Sequence, residues 1–362
     1  MTQWFNNLIP QTAIRAGFSI SLVIVLALLL ANLSHRDEGV IAGACFEGRV
    51  PGLGSIQLTP ARDGADSIQI EIPEADYVAS LTETKPAGML RWIVTPRRSD
   101  ETNGFITLKT PITATNVTAV WEGVGTPTAS FELRQFAELS VLRRKRGWAF
   151  GEFGSARVFE ARLPVLLEHQ PWHESMNSLL RAHDVAAAKE FCSMSWAEAW
   201  DSVRQPSHGN RWASEISRHI VHHNSRVCSV LEQVYEYTGG AHGNVFLRGW
   251  NFLAEGHEAR ALNLPQLFRD GTPWKERLAD LCKADLRRQG ASMFTAGGGG
   301  IEPEAKLEQG DLTVITLSPA GLRIHFAPYE VGSWAEGTYS VLLPYATIEP
   351  LLAIEVVKHF RN

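Results

Sequence analysis

Residues 16–33 read AGFSISLVIVLALLLANL, eighteen consecutive positions without a charged side chain. At about 1.5 Å of rise per residue a helix of this length measures about 27 Å, against a bilayer hydrocarbon core of about 30 Å. Arg15 precedes the run, and Arg36, Asp37 and Glu38 follow it. A positive charge on the N-terminal side favours a cytoplasmic N-terminus. Residues 1–33 are therefore expected to form an uncleaved anchor, a single-pass helix in the inner (cytoplasmic) membrane, with the bulk of the chain periplasmic or otherwise extracytoplasmic. The alternative is a signal segment whose cleavage releases a secreted chain. Ala42-Gly43-Ala44 has the small residues of a processing site, and Cys45 behind it would suit lipidation, but a charged patch separates both from the apolar run.

The compartment gives the cysteines meaning. Four in 362 residues, Cys45, Cys192, Cys228 and Cys282, are too few for a disulfide scaffold. Outside the cytoplasm they are nevertheless expected to form one or two disulfides, and sequence leaves three complete pairings open. The remaining chain is ample for a buried core. Its 34 basic and 39 acidic side chains leave a net charge of −5, which argues against a nucleic-acid partner.

Two grammars follow the anchor. Between residues 46 and 136 short alternating runs are separated by turn residues. SIQIEI at 67–72 sets three isoleucines on one face, and similar runs lie at 91–94, 104–109, 118–121 and 131–136. This spacing predicts a small antiparallel β module, a barrel or sandwich. The basic run Arg143–Arg146 ahead of Gly147 reads as a solvated turn between two strands, with an anionic-polymer or lipid contact as the sharper alternative.

Residues 156–362 read as an α+β domain. A strand over 156–165, helices over 174–203 and 274–288, strands at 212–221, 226–237 and 244–253, and a hairpin around Ser318-Pro319-Ala320-Gly321 are expected. A further helical stretch at 348–360 closes the chain. Helices packed on an antiparallel sheet complete the fold class.

Catalytic signatures are absent. There is no nucleophile elbow, P-loop or complete dinucleotide fingerprint. His173-Glu174 and His257-Glu258 begin like zinc-protease motifs, but Asn177 and Ala261 stand where the second histidine belongs. His219, His222 and His223 would suit a metal on a helix, yet their segment reads as a strand that splits them between two faces, so exposed sheet and turn histidines are expected. No metal or cofactor is called for.

Two segments stand out. In Tyr235–Asn244, YEYTGGAHGN, Tyr235 and Tyr237 share a face, Thr238 leads into the turn, and Gly239-Gly240 supply positive φ angles for a tight reversal. His242 lies just beyond that bend, with Asn244 opening the next strand. In Pro328–Gly337, PYEVGSWAEG, Tyr329 and Trp334 offer rings, and Glu330 and Glu336 offer two carboxylates. A glycosidase would need such a pair about 5–10 Å apart, a distance sequence does not fix.

YTGGAHGN, LNLPQLF at 262–268, FAPYEVGSWAEG at 326–337 and LPY at 343–345 occur together in order, and this set resembles the extracytoplasmic domain family of RsiV, over about residues 156–362. Members of that family include a membrane-anchored anti-sigma factor that serves as a lysozyme receptor, and the domain also stands beside a peptidoglycan deacetylase. The fifteen residues before the apolar run are too few for a sigma-binding segment, and no deacetylase domain is present.

The resemblance implies a non-catalytic extracytoplasmic binding protein that recognises a lysozyme-like muramidase or cell-wall glycan. Tyr237, Thr238, Gly239, Gly240, His242, Asn244, Tyr329, Glu330, Trp334 and Glu336 would be its contacts. An acidic ectodomain suits a basic lysozyme. The alternative is an envelope hydrolase acting on a peptidoglycan-type substrate through Glu330, Glu336 and His242, and a third reading is a structural subunit of an envelope complex.

Overall fold

The computed structural model describes residues 37–50, 53–60, 68–71, 77–85, 89–96, 101–109, 116–150, 153–167, 170–193, 210–294 and 312–361. The apolar run at 16–33, the glycine tract at 297–300 and the 194–203 end of the first expected helix lie outside them. Among the described residues no helix is long and apolar enough to cross a membrane.

Eight strands occupy the first part: β1 (Asp37–Val50), β2 (Gly54–Pro60), β3 (Ile68–Glu71), β4 (Tyr77–Lys85), β5 (Met89–Pro96), β6 (Gly104–Leu108), β7 (Asn116–Gly123) and β8 (Ala129–Phe150). All their pairings are antiparallel. β1, β2 and β3 leave one edge of β8, while β7, β6, β5 and β4 leave the other. β3 then approaches β4, bringing the sheet round on itself. Alternation explains the interior: Phe46, Ile56, Leu58, Trp92, Ile106, Val117 and Leu133 turn inward to one buried core.

β8 is 22 residues long and carries the sheet onward. Its second half pairs with β9 (Phe153–Leu166), from Ala137↔Leu166 to Phe150↔Phe153. Arg143–Arg146 therefore lie within a strand, not in the expected turn, which falls after Phe150. Arg143 Nε donates to Glu160 Oε2 at 2.8 Å. Cross-strand pairing lets the strand run through charges that read locally as a solvated break.

After β9 comes helix α1 (Pro171–Phe191) and then β10 (Asn210–His223), which pairs with β9 in parallel. A parallel neighbour needs a crossover, and α1 is part of it, so the sheet departs from the all-antiparallel expectation at this one pair. β11 (Val227–Tyr237), β12 (Asn244–Glu255) and β13 (Glu258–Ala261) extend the sheet antiparallel to thirteen strands. The inward stripe of α1, Trp172, Met176 and Leu180, packs on Leu139, Leu163, Val230 and Phe252. Each such side chain contributes about 1.5–3 kcal/mol on burial.

A second sheet, β14 (Ile315–Ser318), β15 (Gly321–Phe326) and β16 (Tyr339–Leu343), is antiparallel and packs with α2 (Trp274–Arg288) in another core. It lies close on β12, where a Cβ at Gly249 would run into the Ile315 carbonyl. Asn251 Nδ2 donates to that carbonyl at 3.0 Å, and the buried Ser229 hydroxyl bridges Asn251 Oδ1 (2.7 Å) and the Leu317 amide (2.9 Å). Instead of one closing helix, short turns at Tyr345–Ile348 and Ile354–Val357 flank an extended Leu352, with Pro350 interrupting the ladder between them. The molecule is thus mixed α+β, mostly antiparallel sheet with a few helices.

The four cysteines form no disulfide. All are buried thiols, Cys45 and Cys228 in the core beneath α1, Cys192 and Cys282 in two others. Burial pushes Cys45, Cys228 and Cys282 up to about 12, so these are unreactive apolar fillers, correcting the expectation drawn from compartment.

Candidate functional site

The two segments singled out by sequence meet at one end of the β11–β12 hairpin. Tyr237 closes β11, and Gly239 and Gly240 take φ of 104° and 96°, the values expected for a sharp reversal. The Tyr237 hydroxyl donates to the Gly240 carbonyl at 3.1 Å, tying the turn to its strand. A Cβ at Gly243 would strike the Tyr235 ring and the Glu236 carbonyl, so glycine sets how closely the chain re-enters β12. Thr238 and Asn244 stand exposed on either side.

His242 is held from within and without. Its Nδ1 lies 2.9 Å from the Gly243 carbonyl, which makes Nδ1 the protonated nitrogen and Nε2 the acceptor. The Tyr329 hydroxyl donates to that Nε2 at 3.3 Å. The imidazole lies flat on Trp334, with centroids 4.3 Å apart and planes 15° apart. Tyr329 completes the group at 6.3 Å from His242 and 6.0 Å from Trp334.

The loop between β15 and β16 presents those rings at a conformational cost. Tyr329 has φ of 72°, the only positive value among described non-glycine residues. Such a backbone costs about 1–2 kcal/mol. It is over-determined by its neighbours. Tyr329 N–H reaches the Gly332 carbonyl at 3.0 Å, Ala327 N–H reaches Glu330 Oε2 at 2.7 Å, and Val331 is buried beneath the loop. The Tyr329 side chain remains 49% exposed.

Glu336 fastens the other half. It accepts from the Ser292 amide (3.0 Å), the Ser292 hydroxyl (2.6 Å), the Ser333 amide (2.6 Å) and the Tyr339 hydroxyl (2.6 Å). Burial works to raise its pKa, but donors from Ser292, Tyr339 and Ser333 outweigh it and hold the carboxyl well below the usual carboxylate range. Of the ten residues expected to form the site, the structure gathers His242, Tyr329 and Trp334 into one exposed ring cluster. Gly239, Gly240 and Tyr237 shape its first loop, and Glu330 and Glu336 fold its second.

Three other groups lie outside the expected site. Beneath α1, the fully buried Arg218 guanidinium grips Asp184 through both Nη atoms, at 3.0 and 2.5 Å, and Glu232 through Nε at 2.9 Å. Trp250 Nε1 (3.0 Å) and Arg248 Nη1 (3.3 Å) also donate to Glu232, and His183 lies 3.4 Å away. Burial alone would raise Glu232, yet His183, Arg218 and Trp250 bring it down to about 2. The signal was legible as charges in apolar registers: Arg218 between Ile216 and Ile220, and Asp184 on the Leu180–Ala188 stripe.

The second group is the histidine run. His219 and His222 are not exposed; burial pushes each down to about 4, with the His223 charge adding to the effect at His222. A bulge between Ile220 and His222 breaks the alternation that sequence assumed. His223 instead pairs with Glu47 of β1 at 3.2 Å. Among the described residues no cluster of three or more histidine, cysteine or acidic side chains is arranged for a metal. The third is a polar cleft beside these histidines.

Residues 265–346 match the family model described as a protein of unknown function (DUF3298), which carries no catalytic assignment. No curated protein matches the chain. Two solved structures are similar. A DUF3298 family member from Bacteroides fragilis is 17% identical, with a TM-score of 0.45 over 62% of this chain and 97% of that one. A DUF3298 family protein from Pseudomonas aeruginosa PAO1 is 11% identical, with a TM-score of 0.39 over 60% of this chain and 94% of that one.

Proposed function

We propose that this chain is a non-catalytic binding protein of the cell envelope, anchored through residues 16–33, that recognises a lysozyme-like muramidase or cell-wall glycan through His242, Tyr329 and Trp334. The observation that carries this reading is the ring cluster itself. Three aromatic faces are held in contact with one another, partly exposed, by a strained and heavily hydrogen-bonded loop. The accessible parts of this stack, with the half-exposed Tyr329 ring and hydrogen-bonding groups at its edge, suit the C–H face of a pyranose, or an aromatic or sugar-lined cleft offered by a protein partner.

The hydrolase alternative draws less support. Glu336 has its oxygens filled by four donors, and Glu330 closes its own turn, so each carboxylate serves the loop that bears it.

Retention on the immobilised chain separates the outcomes. Lysozyme or soluble muropeptides should be held back and released more readily from Trp334→Ala. Free passage of both through a column of folded protein contradicts the proposal. Turnover of muropeptides that disappears in Glu330→Gln would instead restore the hydrolase.

A further inference from the structure

Apolar alternation directs one face of the β7–β8–β1–β2 sheet into its core and leaves Asn116, Glu132, Arg134, Glu47 and Arg49 on the other. Such a face ordinarily meets water. Here two hairpin ends roof part of it, residues 222–225 from the end of β10 into its turn to β11 and Pro319-Ala320 between β14 and β15, leaving a cleft of about 1020 Å³. Roof and floor are fastened together: Gln57 Nε2 donates to the Ile220 carbonyl at 2.5 Å, and His223 pairs with Glu47.

The floor alternates in charge. Arg134 lies opposite Glu47 in the β1–β8 register, at 3.8 Å between charged atoms. Continuing that register places Arg49 opposite Glu132. Along β8, Glu132 and Arg134 share a face, about 6.8 Å apart as strand neighbours of one side are. Both are exposed, whereas Glu47 is engaged at the base. The roof is polar, with an uncharged His222 beside Asn224, whose amide is tied to the His359 carbonyl and to the Arg226 and Val227 amides. No Trp, Tyr or Phe is among the described residues that line the cleft.

We propose that this cleft binds a short free peptide in extended form, its carboxylate on Arg134, its ammonium on Glu132 and its amides against Asn116. An extended di- or tripeptide separates its termini by roughly 7–10 Å, which matches one same-face step of the strand plus the reach of the two side chains. Paired unlike charges at a fixed spacing select a zwitterion over a polyanion, and among the described lining residues the only aromatic rings are the imidazoles of His222 and His223. The site lies apart from the His242 cluster and does not depend on the function proposed for it.

Titration calorimetry of the full chain with tri-alanine tests this. Saturable binding is expected, with N-acetylation or C-terminal amidation of the peptide weakening it by about tenfold or more, or about 1.4 kcal/mol. Glu132→Gln should weaken tri-alanine but alter the N-acetyl form little, and Arg134→Ser should do likewise for the amide. Both side chains are exposed, so an unchanged unfolding transition accompanies the loss. Trp334→Ala should leave peptide binding intact. No binding of tri-alanine at millimolar concentration, equal binding of the doubly blocked peptide, or preferential binding of diacetylchitobiose in this cleft overturns the proposal.

Discussion

Two polar clusters of this chain use the same kinds of side chain to opposite ends. Beneath α1, Arg218, Asp184 and Glu232 are sealed from water, and every charge meets an opposite one. At the end of the β11–β12 hairpin, His242, Tyr329 and Trp334 bond and stack on one another, yet stay partly exposed. The first is closed to solvent; the second leaves part of its area accessible. The recognition role proposed for the second rests on that accessible area, and not on the number of titratable groups.

The comparison can be broken most forcefully at the buried end. Arg218→Met takes from Asp184 and Glu232 their shared guanidinium in a dry interior and is expected to cost about 3–5 kcal/mol, read by urea unfolding, while leaving the ring cluster unchanged. If stability is unchanged, the network is not closed as described. Leu180→Ala on the same helix should cost about 2–5 kcal/mol by cavity formation.

Glu336→Gln tests the junction between the two regimes. An amide in place of the carboxylate faces donors with its own NH2, and a loss of about 1–3 kcal/mol is expected, together with weaker ligand retention. Stability as in the parent chain would show that the loop does not rely on this anion.

Acid should separate the regions by pH. His219 and His222 titrate near 4 when folded and near 6.5 when unfolded, so the unfolded chain takes up protons first. Stability is then expected to fall as pH drops from about 6.5 towards 4, followed by further loss towards pH 2 as Glu232 is protonated. His219→Asn with His222→Asn should flatten the first phase. A first phase that persists in that variant would contradict the assignment.

The smallest effect belongs to Tyr329→Gly. Glycine relieves the φ of 72° but loses the ring, so stability should change by less than about 1 kcal/mol while binding weakens.

Much of the fold was legible in local pattern. The three strands after α1, the bounds of α2 and the SPAG hairpin all follow from periodicity and turn chemistry. The positive φ at Gly239 and Gly240 was likewise readable. What local reading missed depended on partners distant in sequence. Arg143–Arg146 stay in a strand because β9 and β1 pair on either side. The parallel neighbour of β9 requires knowing where α1 returns. The cysteines answered to burial and not to compartment. For the site, the two segments were picked out by their residues and by the resemblance, but that His242 meets Tyr329 and Trp334, and that Glu336 binds Ser292 and Tyr339, depends on the fold.

The most direct test is to compare Trp334→Ala with the parent chain for binding of lysozyme and muropeptides, with the unfolding midpoint measured on the same samples. An affinity loss of about tenfold or more is expected, with stability changed by less than about 1 kcal/mol. Undiminished binding in a folded Trp334→Ala chain would contradict it.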